Sequence, residues 1–301
     1  MCALSASPSE LAYFIVDVFA ETALAGNALA VVFDTVGLST TRMQAIAREF
    51  NLSETAFVLR RPVEVEQVEG IRVRIFTTRE ELPFAGHPTL GTASVLKSRS
   101  PEVLRGDTIT LALRVGAIPV QFRPGSSFGE MTQRDPVFGA ELDPAQVARL
   151  AGISVDDLNP LLPPQVVSTG VPYAIVPLRS LDGLSALNVN HREATAWLRE
   201  YGARWFYVLA PTGDEQPAWR ARMQFHGGED PATGSAAGCA ISYLVARGAV
   251  SSEQSIHLRQ GVEVARPSDI FLRAHADASL VSRVRVAGST VLVAAGQLFL
   301  P

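Results

Sequence analysis

The chain has 301 residues, 47% of them hydrophobic and 19% charged, with a net charge of −4, which suits one large core or two ordinary ones. It contains no Lys/Arg-rich run and no apolar run near the roughly 20 residues that span a bilayer, so neither nucleic acid nor a membrane is expected as a partner. Two cysteines, Cys2 and Cys239, exclude a disulfide framework, and MCALSASPSELAYF shows no basic-then-apolar leader, so a reducing cytoplasm is the expected compartment.

In chain order, Gly26-Asn-Ala-Leu-Ala-Val-Val reads as a turn entering a strand. Ser39-Thr-Thr caps a helix whose Met43, Ile46, Ala47 and Phe50 share a face, with Asn51 as its stop. Strands follow at 56–59 and up to Phe76; FAGHPTLGTA (84–93) then opens an apolar helix over 89–96, with strands at 108–113 and 118–122.

The series then recurs. Gly170-Val-Pro-Tyr-Ala-Ile-Val precedes a helix bearing Ala194, Trp197, Leu198 and Tyr201 and ended by Gly202. Next come a strand at 206–209, RMQF ending at Phe225, GGEDPATGSAAG (227–238), a helix over 232–245, and strands at 255–258 and 270–274. HPTLGTAS aligns over DPATGSAA at an offset of 230 − 87 = 143, which sets His87 against Asp230 and places a six-residue insertion at Glu80 and Glu81. The expected architecture is α+β: two pseudo-symmetric domains from a duplication, each made of strands around one narrow, small-residue helix. The domains are expected at 1–128 plus 285–301 and at 129–284, with the chain crossing near 123–129 and the last strand, 290–300, returning to the first domain.

Pro, Gly and Ser/Thr at a helix start leave backbone N–H groups open, at the positive end of the helix dipole. Two such ends across a cleft can hold one anionic substrate; taken singly, Asp230 reads as an ordinary N-cap and His87 as a turn residue. Glu54, in Asn51-Leu-Ser-Glu-Thr-Ala-Phe, reads on its own as a solvated or capping acid. Against an apolar wall its pKa would instead rise, letting it take and return a proton with no cofactor.

Asn27 is a turn residue or a substrate contact, and Thr92 and Ser235 are caps or carboxylate ligands. Cys239 reads as buried packing, Glu229 as turned away toward solvent, and Glu80 and Glu81 as a solvated loop. The five histidines show no HExxH or similar spacing, so no metal site is expected. GxxxxGK[ST], GxGxxG and GxSxG are absent.

VDVFAETALAGNALAVV, NLSETAFV, RIFTTREELPFAGHPTLGTA, GGEDPATGSAAG and QGVEVARPSDI occur in this order over nearly the whole chain. Together they resemble the phenazine-biosynthesis PhzF-like family, which has the diaminopimelate epimerase fold. The resemblance implies two barrel-like, mostly antiparallel sheets, each around a central helix, with the site between them. It also implies a homodimer without metal or organic cofactor, acting on a small carboxylate. On it, Glu54 matches the glutamate that moves a proton between carbons, and His87 and Asp230 match the accompanying site residues. Gly86, Gly234 and Ser235 match positions lining the site. Departures lie at Phe76-Thr-Thr, at Ala265-Arg-Pro-Ser and in a short HGG loop. A two-base amino-acid epimerase and a non-catalytic carboxylate-binding protein remain as alternatives.

Overall fold

The computed structural model describes residues 9–213, 218–277 and 280–300; Cys2, with the rest of 1–8, lies outside them. The first series is β1 (Ser9–Val18), β2 (Asn27–Val32), α1 (Thr40–Phe50), β3 (Glu54–Leu59), α2 (Val63–Glu69), β4 (Ile71–Phe76) and β5 (Glu81–Leu82). It continues with α3 (Gly86–Arg99), β6 (Thr108–Leu113), β7 (Gly116–Phe122) and β8 (Gly129–Thr132). The second is β9 (Val137–Glu141), α4 (Pro144–Ala151), β10 (Gln165–Ser168), β11 (Pro172–Pro177), α5 (Leu181–Ala186), α6 (His191–Glu200), β12 (Phe206–Pro211) and β13 (Trp219–Arg222). It ends with β14 (Gln224–Phe225), β15 (Gly228–Glu229), α7 (Gly234–Ala246), β16 (Ile256–Gln260) and β17 (Ser268–Asp277), followed by β18 (Leu280–Gly288) and β19 (Thr290–Leu300).

The strands pair in the order β19-β1-β2-β3-β4-β6-β7-β8, and from β8 onto β18-β17-β16-β13-β12-β11-β10-β9. The order reads as a palindrome about the β8–β18 contact, so each half repeats the other. Parallel pairs are confined to β2–β3 and β4–β6 in one half and to β11–β12 and β13–β16 in the other. Each half curls round one helix. Along α3 every residue from Gly86 to Ala93 is buried, and along α7 every residue from Gly234 to Val245. A helix buried on all sides must be narrow and uncharged, which the Gly/Ala/Ser content supplies. Amphipathic α1, capped by Ser39 and stopped by left-handed Asn51, covers Phe57 and Phe76 from outside; α4 and α6 pack comparably in the second half.

Three expectations are corrected. Residues 123–128 form a hairpin turn between β7 and β8, closed by Arg123 N donating to Phe128 O, and the chain leaves β8 for β9 only after Thr132. RMQF is not one strand: β13 stops at Arg222, and β14 turns off to pair with β15.

The third correction concerns the register of the repeat. Arg74 pairs with Glu81 and Arg222 with Glu229, and the helices begin at Gly86 and Gly234. All three offsets agree: 222 − 74, 229 − 81 and 234 − 86 are each 148. The true repeat is therefore ELPFAGH over EDPATGS, with no insertion, and the counterpart of His87 is Ser235. HPTLGTAS misled because Pro88-Thr-Leu-Gly91 echoes the Pro-x-x-Gly of Pro83 and of Pro231. Glu81 and Glu229 are accordingly not solvated: each is a partly buried acid locked to its arginine.

Candidate active site

Glu54 is the first residue of β3, set by parallel pairing against Leu29 of β2, and Asn27 begins β2 at the same end. The N-termini of α3 and α7 converge there. A Cβ built on Gly86 would stand 2.8 Å from the carbonyl carbon of Gly234, so only glycine permits the approach. His87 occupies the first turn of α3 rather than the turn before it. Asp230 is not the cap of α7; Thr233 takes that place, and Asp230 stands three residues earlier.

The sequence-predicted residues meet across the two halves. Asn27 Nδ2 donates to Asp230 Oδ1 at 2.7 Å and to the Ala232 carbonyl at 2.9 Å. Those bonds use both amide hydrogens, leaving His87 Nδ1, at 3.3 Å, as a contact only. Thr233 Oγ1 donates to Asp230 Oδ2 at 2.7 Å. Glu54 Oε2 faces His87 Nε2 at 3.4 Å, and neither atom has a hydrogen-bond partner.

Burial governs the charges. Desolvation, reinforced by the negative charge of Asp230, raises the Glu54 carboxyl well above the usual carboxylate range. Desolvation lifts Asp230 to about 6, against the opposing pull of the Thr233 and Asn27 hydrogen bonds. His87 is pushed down to about 3 by burial, which a hydrogen bond to the Ala28 backbone only partly offsets. Near neutral pH His87 is thus an uncharged imidazole beside a carboxyl that holds its proton far more readily than a surface glutamate. A proton on Glu54 Oε2 has one basic neighbour within reach, the lone pair of His87 Nε2.

Ser235 lies in the first turn of α7 and its Oγ is 2.9 Å from the Tyr173 hydroxyl of β11. Thr92 is fully enclosed within α3, its Oγ1 has no partner, and none of its described contacts joins it to Glu54, His87 or Asp230. Cys239 is fully buried, 3.6 Å from Thr169 Oγ1 and 3.7 Å from the Val171 carbonyl, and burial raises its thiol to about 11. Among the described residues no three His, Cys, Asp or Glu side chains cluster as metal ligands.

Sequence reasoning missed three supports. Tyr173 holds the Ser235 hydroxyl. Gln260, fully buried, donates to the Asp230 carbonyl and to Thr233 Oγ1 while accepting from Tyr207. Arg266 of the ARPS segment donates to the carbonyls of Ala25 and Gly26 and pairs with buried Asp17, tying the Asn27 turn to the second half. No local spacing announces contacts between residues this far apart; the ARPS block was the only visible signal.

The profile of the phenazine biosynthesis-like protein family matches residues 16–296. The trans-2,3-dihydro-3-hydroxyanthranilate isomerase of Pseudomonas aeruginosa is 36% identical, over 96% of this chain and 99% of its own. A solved PhzF-family phenazine biosynthesis protein of Bacillus anthracis superposes with a TM-score of 0.85 at 26% identity, over 97% of this chain and 100% of that one. A hydroxyproline epimerase from Agrobacterium vitis, 14% identical, shares the fold with a TM-score of 0.64, over 97% of this chain and 93% of its own. With 36% identity along nearly its whole length, the chain belongs to the phenazine biosynthesis-like family and is an isomerase of the PhzF type.

Proposed function

We propose that the protein moves a proton between two carbons of a small carboxylate substrate, with Glu54 as the carrier and no metal or organic cofactor. The reading is carried by one observation: Glu54 Oε2 and His87 Nε2 stand 3.4 Å apart, both buried and otherwise unpartnered, beside Asp230. An ionised Glu54 takes a proton from an acidic C–H, and its raised pKa lets it hold that proton and return it to a second carbon. Neutral His87 accepts from the protonated carboxyl and keeps it aimed, while Asp230 and Asn27 orient the substrate. The first-turn N–H groups at Gly86 and Gly234 have no partner within their helices and, with the Ser235 hydroxyl, bind the substrate carboxylate. In this reading Thr92, whose Oγ1 is buried without a partner, meets substrate when its enclosing wall opens on binding.

The name of the Pseudomonas relative makes cyclic amino- and hydroxy-carboxylates the first substrates to test. In deuterated buffer, a turned-over substrate gains deuterium at the new C–H position with its double bond shifted, followed by NMR. Glu54→Gln keeps carboxylate binding and loses conversion; conversion that persists in that variant overturns the assignment. Binding without conversion in the wild type would favour a binding protein. Two-base epimerases commonly place one thiol in each half; here α3 begins Gly86-His87, and Cys239 faces Thr169 and Val171, so no such pair is formed among the described residues.

The two units of this reading, expected at 1–128 with 285–301 and at 129–284, take their boundaries after β8 and after β18, in a homodimer in the reducing cytoplasm. Among the described residues β19 pairs only with β1, and it exposes Leu292 and Phe299 along an eleven-residue apolar edge. Such edges are covered in native proteins, here by a second copy. Leu292→Lys with Phe299→Lys yields monomers by light scattering; an unchanged dimer places the interface elsewhere.

A further inference from the structure

The repeat provides an internal reference for charge balance on the outer face of the two sheets. In the second half Arg220 and Arg222 project from β13, and each finds an acid. Arg222 pairs with Glu229, and Arg220 pairs at 2.6 Å with Glu263, which also lies 4.0 Å from Arg222. Two arginines meet two glutamates, and the face is neutral.

At the same offset, 220 − 72 and 222 − 74 being 148, the first half carries Arg72 and Arg74 on β4. Arg74 is matched by Glu81 through two hydrogen bonds, at 2.8 and 2.6 Å. Arg72 is exposed, and its side chain has no ion pair or hydrogen bond among the described residues. The segment after β16 supplies Glu263; the segment after β6 supplies Arg114 instead, 64% exposed and 3.8 Å from Glu81. Arg72, Arg74 and Arg114 all help to hold the Glu81 carboxyl below its usual range, so three guanidiniums surround one acid.

These groups line a cavity of about 550 Å³, together with Arg61 and Glu69. Arg61 pairs with Glu69, yet its Nε is buried without a partner. Four arginines against two glutamates leave a charge of +2. Val73, Ala112 and Leu113 complete the cavity's lining. A cavity of this size admits a small metabolite, and guanidiniums grip carboxylate and phosphate oxygens in pairs.

We propose that this basin is a second ligand site, separate from the Glu54 cleft, in which Arg72 and Arg114 take a small dianion, either a phosphate monoester or a dicarboxylate. The ligand supplies the negative charge that Glu263 supplies in the other half. It sits against the Arg74–Glu81 pair, whose arginine also donates to Thr40 of α1.

Calorimetric titration at low ionic strength with inorganic phosphate and with succinate tests the site. Saturable binding of either probe to the wild type is expected, weakened about tenfold or more, near 1.4 kcal/mol, in Arg72→Gln/Arg114→Gln. Ser235→Ala, which removes a carboxylate contact of the cleft, leaves it unchanged and so separates the basin from the cleft. Phosphate also raises the melting temperature of the wild type and not of the double arginine variant. The tighter of the two probes assigns the ligand class. Absence of saturable binding at millimolar probe overturns the proposal, as does binding that survives the arginine variant. A wild-type crystal grown in phosphate gives a readout that needs no variant: an anion on Arg72 and Arg114 upholds the site, and an anion found only elsewhere refutes it.

Discussion

Gly86 and Gly234 stand backbone to backbone where the two halves meet: a Cβ on Gly86 would lie 3.0 Å from the Gly234 Cα and 2.8 Å from the Ser235 nitrogen. The contact joins the first turns of α3 and α7, so the residues that carry Glu54's neighbours are registered against each other by two glycines. The duplication puts the same residue at the same point of both helices, and the pseudo-twofold relation brings those points together.

Gly86→Ala forces its methyl into backbone that cannot yield without parting the helices. A loss of about 1–3 kcal/mol is expected from overpacking, read by denaturant unfolding, with a larger fractional loss of turnover. Gly234→Ala meets the Phe19 ring edge at 3.1 Å and the Gly86 Cα at 3.4 Å, so it costs less. Equal stability of Gly86→Ala and wild type would show that the helix ends are not held at this contact.

His87 sets a pH dependence of stability with a definite sign. Its folded pKa, about 3, lies below the unfolded value near 6.5. The neutral form is favoured on folding, so the contribution is complete above about 6.5 and is lost as pH falls toward 3. Acidification to pH 5 should remove about 2 kcal/mol through this group alone. Asp230, raised to about 6, acts oppositely and loses stability as pH rises from about 4 to 6. His87→Gln should therefore show a smaller acid loss than wild type between pH 7 and 5 in unfolding titrations; an identical loss would mean that His87 is already charged in the folded state.

Glu54 must be ionised to take a proton, so the acid limb of its pH–rate profile belongs well above the ordinary carboxylate range. The Asp230 charge contributes to that rise, second to desolvation. Asp230→Asn removes the charge and should move the limb to lower pH, whatever it does to the maximum rate. A limb that stays in place would leave desolvation as the whole cause.

Tyr173→Phe deletes the hydroxyl that holds Ser235 Oγ. A weakening of substrate binding of roughly tenfold is expected, about 1–1.5 kcal/mol for one lost hydrogen bond, appearing in KM with kcat little changed. A fall in kcat at constant KM would instead place Tyr173 in the proton chemistry.

Much of the fold was legible because periodicity reports burial. Alternation and helical spacing found α1, α6 and most sheet strands, and the repeated blocks exposed the duplication. The register was misread because the chain carries Pro-x-x-Gly at Pro83, Pro88 and Pro231, and similarity alone favoured the wrong pair. The ion pairs of Arg74 with Glu81 and of Arg222 with Glu229 settle it, since a hairpin spaces both pairs by seven residues. Residue spacing marked Asn27, His87 and Asp230 as polar groups in small-residue turns. Glu54 took the proton-carrier role mainly through resemblance, and Tyr173, Gln260 and Arg266 escaped because their partners lie 27 to 249 residues away along the chain.

The sequence by itself determined that this is a duplicated α+β protein with two small-residue helices, because side-chain size and hydrophobic period are local properties. Only the tertiary structure decided which residues are counterparts, that Glu54 and His87 face each other stripped of water, and that one outer face keeps two unmatched positive charges. Those outcomes depend on desolvation and on distances between remote segments, and both arise only when the two halves close on each other.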